Sequence, residues 1–357
     1  MAPLQSFEEQ ERRVFLPPVM PEDLEIPEGA LLRLSGNIFG TGWQVDVVRA
    51  GDPSQSATAR REGDALWLER LRIRIADRLE TIDAQMSPWR AASDLMRFNR
   101  AEDGSRFALP EPMLTVVAQA VAVADLTGGA FDPTLHDAVS LWGFSAMAVA
   151  QGLPDADRLA VLAAGRRDWR DLGFDGATIT ARDGLTLDLC AIAKGFAVDA
   201  VMAVIRADVE ALSALVEIGG ELKGWGLRPD GMPWWVGIEQ PDGTADAPVV
   251  AALCDWAVAT SGDYLRTFHH AGADYCHTLD PRTLAPVRNG VASATVFDPD
   301  CWRADALATA LMVMGHDEAL AFADAHAIPC LLAVRGGDGG IAGSMSAAMR
   351  DWLDDDG

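Results

Sequence analysis

An aspartate and a threonine four residues apart, Asp305-Ala-Leu-Ala-Thr309, fall on one face of a helix, one turn from each other. Two kinds of chemistry fit that spacing. Asp305 sits at the start of a helix expected over 305–314, where aspartate is a favoured N-cap, with Thr309 solvated beyond it. Alternatively, the carboxylate and hydroxyl are hard oxygen ligands for Mg2+, which keeps several waters and bridges phosphate oxygens. A second cluster, Leu187-Asp188-Leu189-Cys190-Ala191-Ile192-Ala193-Lys194, closes an expected short strand (185–188) with an aspartate. It then sets a lysine in the first turn of a helix expected over 191–206. The helix dipole favours anions at that end. Lys194 is therefore either an unpaired surface lysine or the partner of a ligand anion drawn to the free N–H groups. Lys194 and Lys223 are the only lysines in 357 residues, which draws the eye to both. His277, in Tyr275-Cys276-His277-Thr278-Leu279-Asp280-Pro281-Arg282, is either a satisfied structural histidine or a base whose near-neutral pKa suits taking a proton from a hydroxyl.

Three loops could approach a ligand. Gly128-Gly129-Ala130-Phe131-Asp132-Pro133-Thr134 offers glycines for close backbone contact and an aspartate restrained by the following proline. Gly219-Gly220 follows a strand, and Ala259-Thr260-Ser261-Gly262-Asp263-Tyr264 is a hydroxyl-rich turn. Each on its own reads equally well as a plain connection.

The elements that must position these groups follow from periodicity. Leu68, Leu71, Ile75, Leu79, Ile82 and Met86 form one apolar helical stripe ending at Ser87-Pro88. A second helix over 112–126 is closed by Gly128-Gly129. Strands are expected from Leu31 through Val48, at 214–218, 234–239, within 249–259 and at 291–297. A terminal hairpin over 330–335 and 341–345 turns on a glycine-rich loop. Strands without a regular βαβ rhythm predict an α+β fold. Residues 1–30, rich in proline and acid, read as a surface arm, residues 31–346 as the domain, and residues 347–357 as an acidic, frayed tail.

Composition bounds the function. A formal charge of −24 opposes a broad nucleic-acid surface, although a bound cation and backbone N–H groups still admit a small anion. Apolar residues make up 49% of the chain without any run long enough to form a transmembrane segment. The five cysteines are dispersed, with no CxxC pair. Arg12-Arg13 precedes no apolar segment, so no export signal is read there and a cytoplasmic location is expected.

Taken in order, these stretches resemble the FAD:protein FMN transferase (ApbE) family. The resemblance is carried by Phe39-Gly-Thr-Gly-Trp43, Met86-Ser-Pro-Trp89 with Ser93-Asp94 and Phe98-Asn99, and Phe131-Asp-Pro-Thr134 with Leu141-Trp-Gly-Phe144. It continues through Leu187-Asp188 to Phe196, Ile218-Gly-Gly220, Ala259-Thr-Ser-Gly262, His277 to Arg282 and Asp305 to Thr309. It implies a single α+β unit with a tunnelling-fold (T-fold)-like core of mixed or antiparallel sheet and packed helices. By motif position, FAD would contact Phe39, Trp89, the Ala130-Phe131-Asp132 turn, Asp188, Lys194 and Leu279. Mg2+ would be held by the Ala191 carbonyl, Asp305 and Thr309. The implied reaction cleaves the FAD pyrophosphate, moves FMN to a Thr or Ser hydroxyl of an acceptor flavoprotein and releases AMP, with His277, Asp305 and Lys194 as catalytic groups. An FAD pyrophosphatase and a flavin carrier without turnover are the competing implications. This chain departs from the family's usual residues at Phe39, Trp89, Phe196, His136-Asp137, Glu217 and Leu284, which bears on substrate choice more than on FAD binding.

Overall fold

A computed structural model describes residues 13–353, apart from 21–23, 52–53, 55, 146–152, 243, 245–247, 265 and 337–339. The acidic triplet Asp354-Asp355-Asp356 and Arg12 lie outside the described residues.

The frame is an eight-stranded sheet in the order Ile341–Met345, Cys330–Arg335, Val291–Asp298, Ala257–Gly262, Glu221–Trp225, Ala211–Ile218, Thr41–Ala50 and Gly29–Ile38. Every neighbouring pair in it is antiparallel, and with the helices this is the α+β fold expected. Side chains alternate across the pleat. Val47, Ala214, Val216, Ala259 and Val296 point into the main core, whereas Val48, Leu215, Val258 and Phe297 point to the other face. The main core is sealed by helices, among them Glu111–Leu126. Ala57–Met86 buries Trp67, Leu71, Ile75, Leu79, Ile82 and Met86; the expected stripe holds from Leu71 onward, but at its start Trp67 is buried and Leu68 only half-buried. Cys190–Arg206 packs against this helix and against Cys301–Met314. The second face is covered by a three-stranded sheet, Arg13–Phe15, Val249–Leu253 and Trp234–Ile238.

Several expectations need correction. The stretch 249–259 holds parts of two strands in different sheets, separated at Asp255, whose φ of 58° breaks the run. Within the segment read as an arm, Arg13–Phe15 pairs with Val249–Ala251, and Phe15 is fully buried. Within the segment read as a tail, Ala347–Arg350 is helical, and Met349 and Trp352 fill the same second core. Residues 185–188 form no strand. Their side chains alternate in burial as a strand's do, but the backbone finds other partners. The Asn99 side chain accepts from Leu187 N–H at 2.7 Å and donates to its carbonyl at 2.8 Å, while Asp188 N–H reaches the Pro133 carbonyl at 2.8 Å. One asparagine thus replaces a neighbouring strand. The last site helix starts at Cys301 with Asp300 as its cap, so Asp305 is an interior residue and not the N-cap.

The two site helices touch at Gly195. A β-carbon there would come within 2.3 Å of the Cys301 carbonyl oxygen and 2.7 Å of the Trp302 α-carbon. Backbone on both sides leaves no flexible group to yield. Gly195→Ala is expected to force the helices apart and cost about 1–3 kcal/mol, the usual penalty of overpacking. A urea midpoint equal to that of the parent would contradict this.

Candidate active site

The loops and helix starts meet at one cleft of about 290 Å³ at the edge of the main core. Every residue that the family resemblance assigns to FAD, cation or catalysis lines it: Phe39, Trp89, Ala130, Phe131, Asp132, Asp188, Ala191, Lys194, His277, Leu279, Asp305 and Thr309; Lys223 does not.

Local chemistry explains how each arrives. Phe39 and Gly40 form a two-residue hairpin turn with φ of 54° and 75°, as the right-handed twist of the flanking strands demands. A phenylalanine in that conformation is sterically disfavoured, yet it places an aromatic ring at the cleft wall. Trp89, 44% exposed, follows the break at Ser87-Pro88 that ends the long helix. The 128–132 loop leaves its helix through Gly128 and Gly129, at φ 60° and 90°. A side chain on Gly129 would strike the Trp169 ring at 2.3 Å. Asp132 is buried and its carboxylate is already engaged, accepting from Thr134 N–H at 2.8 Å and Thr134 Oγ1 at 2.6 Å and pairing with Arg166. That leaves the backbone of this turn, rather than the carboxylate, to face a ligand.

Asp188 Oδ1 accepts from Cys190 N–H at 2.8 Å and so starts the next helix. Within that helix Ala191 departs from helical geometry (φ −90°, ψ 15°). In a regular helix the Gly195 N–H would point at the Ala191 carbonyl; here it donates to Asp305 Oδ2 at 2.9 Å. Asp305 is buried, and among the described residues its Oδ1 makes no hydrogen bond. Thr309 Oγ1 lies 3.1 Å from Ser261 Oγ. A carbonyl at a helix kink, a carboxylate oxygen with no partner and a hydroxyl are the donor set that suits a small hard cation.

Lys194 lies in the second turn of its helix rather than the first, and it is not unpaired: its ammonium pairs with Glu221. Burial would lower its pKa, but Glu221 and Asp305 outweigh that and raise it, so the amine is held protonated. Glu221 is itself buried, with Oε2 lacking a partner. Burial first, and the nearby Asp305 carboxylate, push its pKa up to about 7 against the pull of Lys194. Glu221→Gln is expected to remove the counter-charge and let burial lower the Lys194 pKa. Labelling by an amine-selective reagent near pH 8 would then rise at Lys194 but not at Lys223, whose ammonium pairs with Asp199 at 2.5 Å. With only these two lysines present, peptide mass spectrometry resolves them, and equal labelling in parent and variant would contradict the assignment.

His277 is mostly buried, with Nδ1 unpartnered. Burial, then the positive charges of Arg266 and Lys194, lower its pKa to about 4, so near neutrality the ring is uncharged and can accept a proton. Asp280 shapes the turn beyond it: its carbonyl accepts from Leu284 N–H at 2.8 Å and its carboxylate from Arg282 N–H at 2.9 Å. Leu284, where the family usually has glycine, adopts φ 55°. It is buried, and its carbonyl accepts from Trp142 Nε1 at 2.6 Å. Packing thus holds a leucine in a conformation that favours glycine. Glu217 accepts from Gly220 N–H at 3.0 Å and supports the Gly219-Gly220 turn.

Two cleft residues escaped sequence reasoning. Glu221 follows the glycine pair, a position where an acid reads as an ordinary strand start. Arg266 has no motif of its own, although the hydroxyl-rich turn just before it was recognised.

Comparison with known proteins finds relatives over most of the chain. A sequence profile described as the ApbE family matches residues 39–332. A protein of Vibrio cholerae called FAD:protein FMN transferase is 37% identical over 313 residues, covering 86% of this chain and 89% of that protein. One of the same name from Haemophilus influenzae is 32% identical over 336 residues, covering 90% and 92%. Among solved structures, the apo flavinyl transferase ApbE of Pseudomonas stutzeri superposes with a TM-score of 0.81 at 33% identity, covering 92% of this chain and 99% of that one. The flavin transferase ApbE of Vibrio cholerae gives 0.80 at 34%, covering 91% and 100%. No helix among the described residues is long and apolar enough to cross a membrane.

Proposed function

The chain belongs to the ApbE family, and from that membership we infer that it is an FAD:protein FMN transferase. We further propose that the acceptor is a Thr or Ser hydroxyl of a flavoprotein, that AMP is the leaving product and that Mg2+ is required. The observation that carries this reading is the convergence on one cleft of an oxygen donor set at Ala191, Asp305 and Thr309 with an uncharged, largely buried imidazole at His277.

In the proposed reaction the acceptor oxygen forms a bond to the FMN phosphorus. The bond from that phosphorus to the bridging oxygen breaks, and AMP departs with the electron pair. His277 takes the acceptor's proton as the oxygen attacks, a role for which a neutral ring is required. Lys194, kept protonated by Glu221 and Asp305, holds positive charge beside the phosphates. Phe39 and Trp89 supply faces on which flavin or adenine can stack. Phe131 is buried in the Ala130-Phe131-Asp132 turn and anchors it in the core, and the buried Leu279 lines the cleft. Ala191, Asp305 and Thr309 would hold the cation, which when bound offsets phosphate charge.

The test is to incubate the chain with FAD, Mg2+ and candidate flavoproteins and to look by mass spectrometry for FMN attached to a Thr or Ser. AMP formed at the same rate with no acceptor present would favour hydrolysis instead.

A further inference from the structure

The charged groups lining the cleft do not balance, and the imbalance singles out one side chain. Asp132 is neutralised by Arg166, and Glu221 by Lys194. Asp188 and Asp305 remain as carboxylates without a paired cation, and Arg266 remains as a cation without a paired carboxylate. Among the described residues the Arg266 guanidinium makes no hydrogen bond and no ion pair. Its guanidinium carbon lies over the ring of Trp89, 5.5 Å from the ring centre. Arg266 is exposed to solvent, and among the described residues lining the cleft it is the basic side chain that no carboxylate holds.

We propose that Arg266 is the anion anchor for the pyrophosphate of FAD, and that Trp89 parks its guanidinium over an indole face until the ligand arrives. The proposal rests on the flavin-transfer reading above. An exposed cation–π contact is weak, whereas a guanidinium meets phosphate oxygens through two parallel hydrogen bonds, so the exchange favours release of the arginine to the ligand. Lys194 cannot serve as the sole anchor, because Glu221 already neutralises it. The charge of Arg266 bears on both Cys190 and His277, which places its field over the space between the helix start and the imidazole. The same movement would free the Trp89 ring for a planar group, coupling capture of the phosphates to stacking of a ring.

The experiment compares FAD with riboflavin, which carries the ring without phosphate, by titration calorimetry on the full chain at fixed Mg2+. Arg266→Gln is expected to weaken FAD on the order of tenfold or more, the scale of one charge-assisted contact, and to leave riboflavin unchanged. Arg266→Lys should recover part of the loss, since a point charge replaces the fork. Trp89→Ala should weaken both ligands. Unchanged FAD affinity in Arg266→Gln, or equal losses for FAD and riboflavin, would overturn the proposal. If the parent chain takes up no FAD at all, the flavin-transfer reading falls together with it, an outcome visible before any variant is made.

Discussion

Asp305→Asn is expected to cut FMN transfer by about a thousandfold, equivalent to about 4 kcal/mol of barrier, while leaving the fold intact. Asparagine keeps an oxygen that can accept the Gly195 N–H, so the link between the two site helices survives. What it loses is the negative charge, and with it the anionic member of the proposed cation site. The readout is the mass added to an acceptor as Mg2+ is titrated. The parent should show saturation; the variant should stay near background at concentrations that saturate the parent. An unaltered melting temperature would show that the loss is local. Full-rate transfer by Asp305→Asn with metal present would remove Asp305 from the reaction.

His277→Ala tests the proton acceptor. The expected loss is about a hundred- to ten-thousandfold, the range of general-base contributions, with FAD affinity little changed, because in the proposed reaction the imidazole acts on the acceptor hydroxyl and not on the dinucleotide. The pH dependence has a definite sign. The pKa near 4 lies below the ordinary histidine value, so the reactive neutral form is populated throughout the neutral range. The His277 limb of the parent's profile should fall as pH drops through about 4 and contribute no slope from about pH 6 upward, where Glu221, raised to about 7, is the cleft group that titrates. An acidic limb centred near 6.5 would mean that the ring is not depressed, and full activity in His277→Ala would dismiss the base assignment.

Much of this site was legible because its residues stand in short motifs whose local physics is self-contained. The 128–132 loop shows its glycines, and the helix stripe from Leu68 to Met86 shows its period. The errors share one origin: partners distant in sequence. Residues 185–188 have a strand's alternation but are paired by the side chain of Asn99, 88 positions from Leu187, and no local pattern foretells that. Asp305 looks like a cap because aspartates commonly are, and only the actual start at Cys301 moves it to the interior. For Lys194 the sequence offers a ligand anion or no partner at all, and misses Glu221, 27 positions later, because an acid at a strand start has no motif value. Arg266 was invisible for a different reason. What marks it is the absence of a carboxylate neighbour, which a sequence cannot display. Phe15 and Trp352 lie in segments whose composition reads as a surface arm and an acidic tail, yet each finds an apolar face prepared by strands from the middle of the chain.

The hydrogen bond from Gly195 to Asp305 joins positions 110 apart, and Thr309 lies one turn further along the same helix. During synthesis on a ribosome, the aromatic walls and the Asp188 turn emerge long before the oxygen donors at 305 and 309. Because the helix Cys301–Met314 also seals the main core, a chain made only as far as residue 300 lacks both the proposed oxygen donors and the packing that shapes the hollow, so the two are completed in one step of folding.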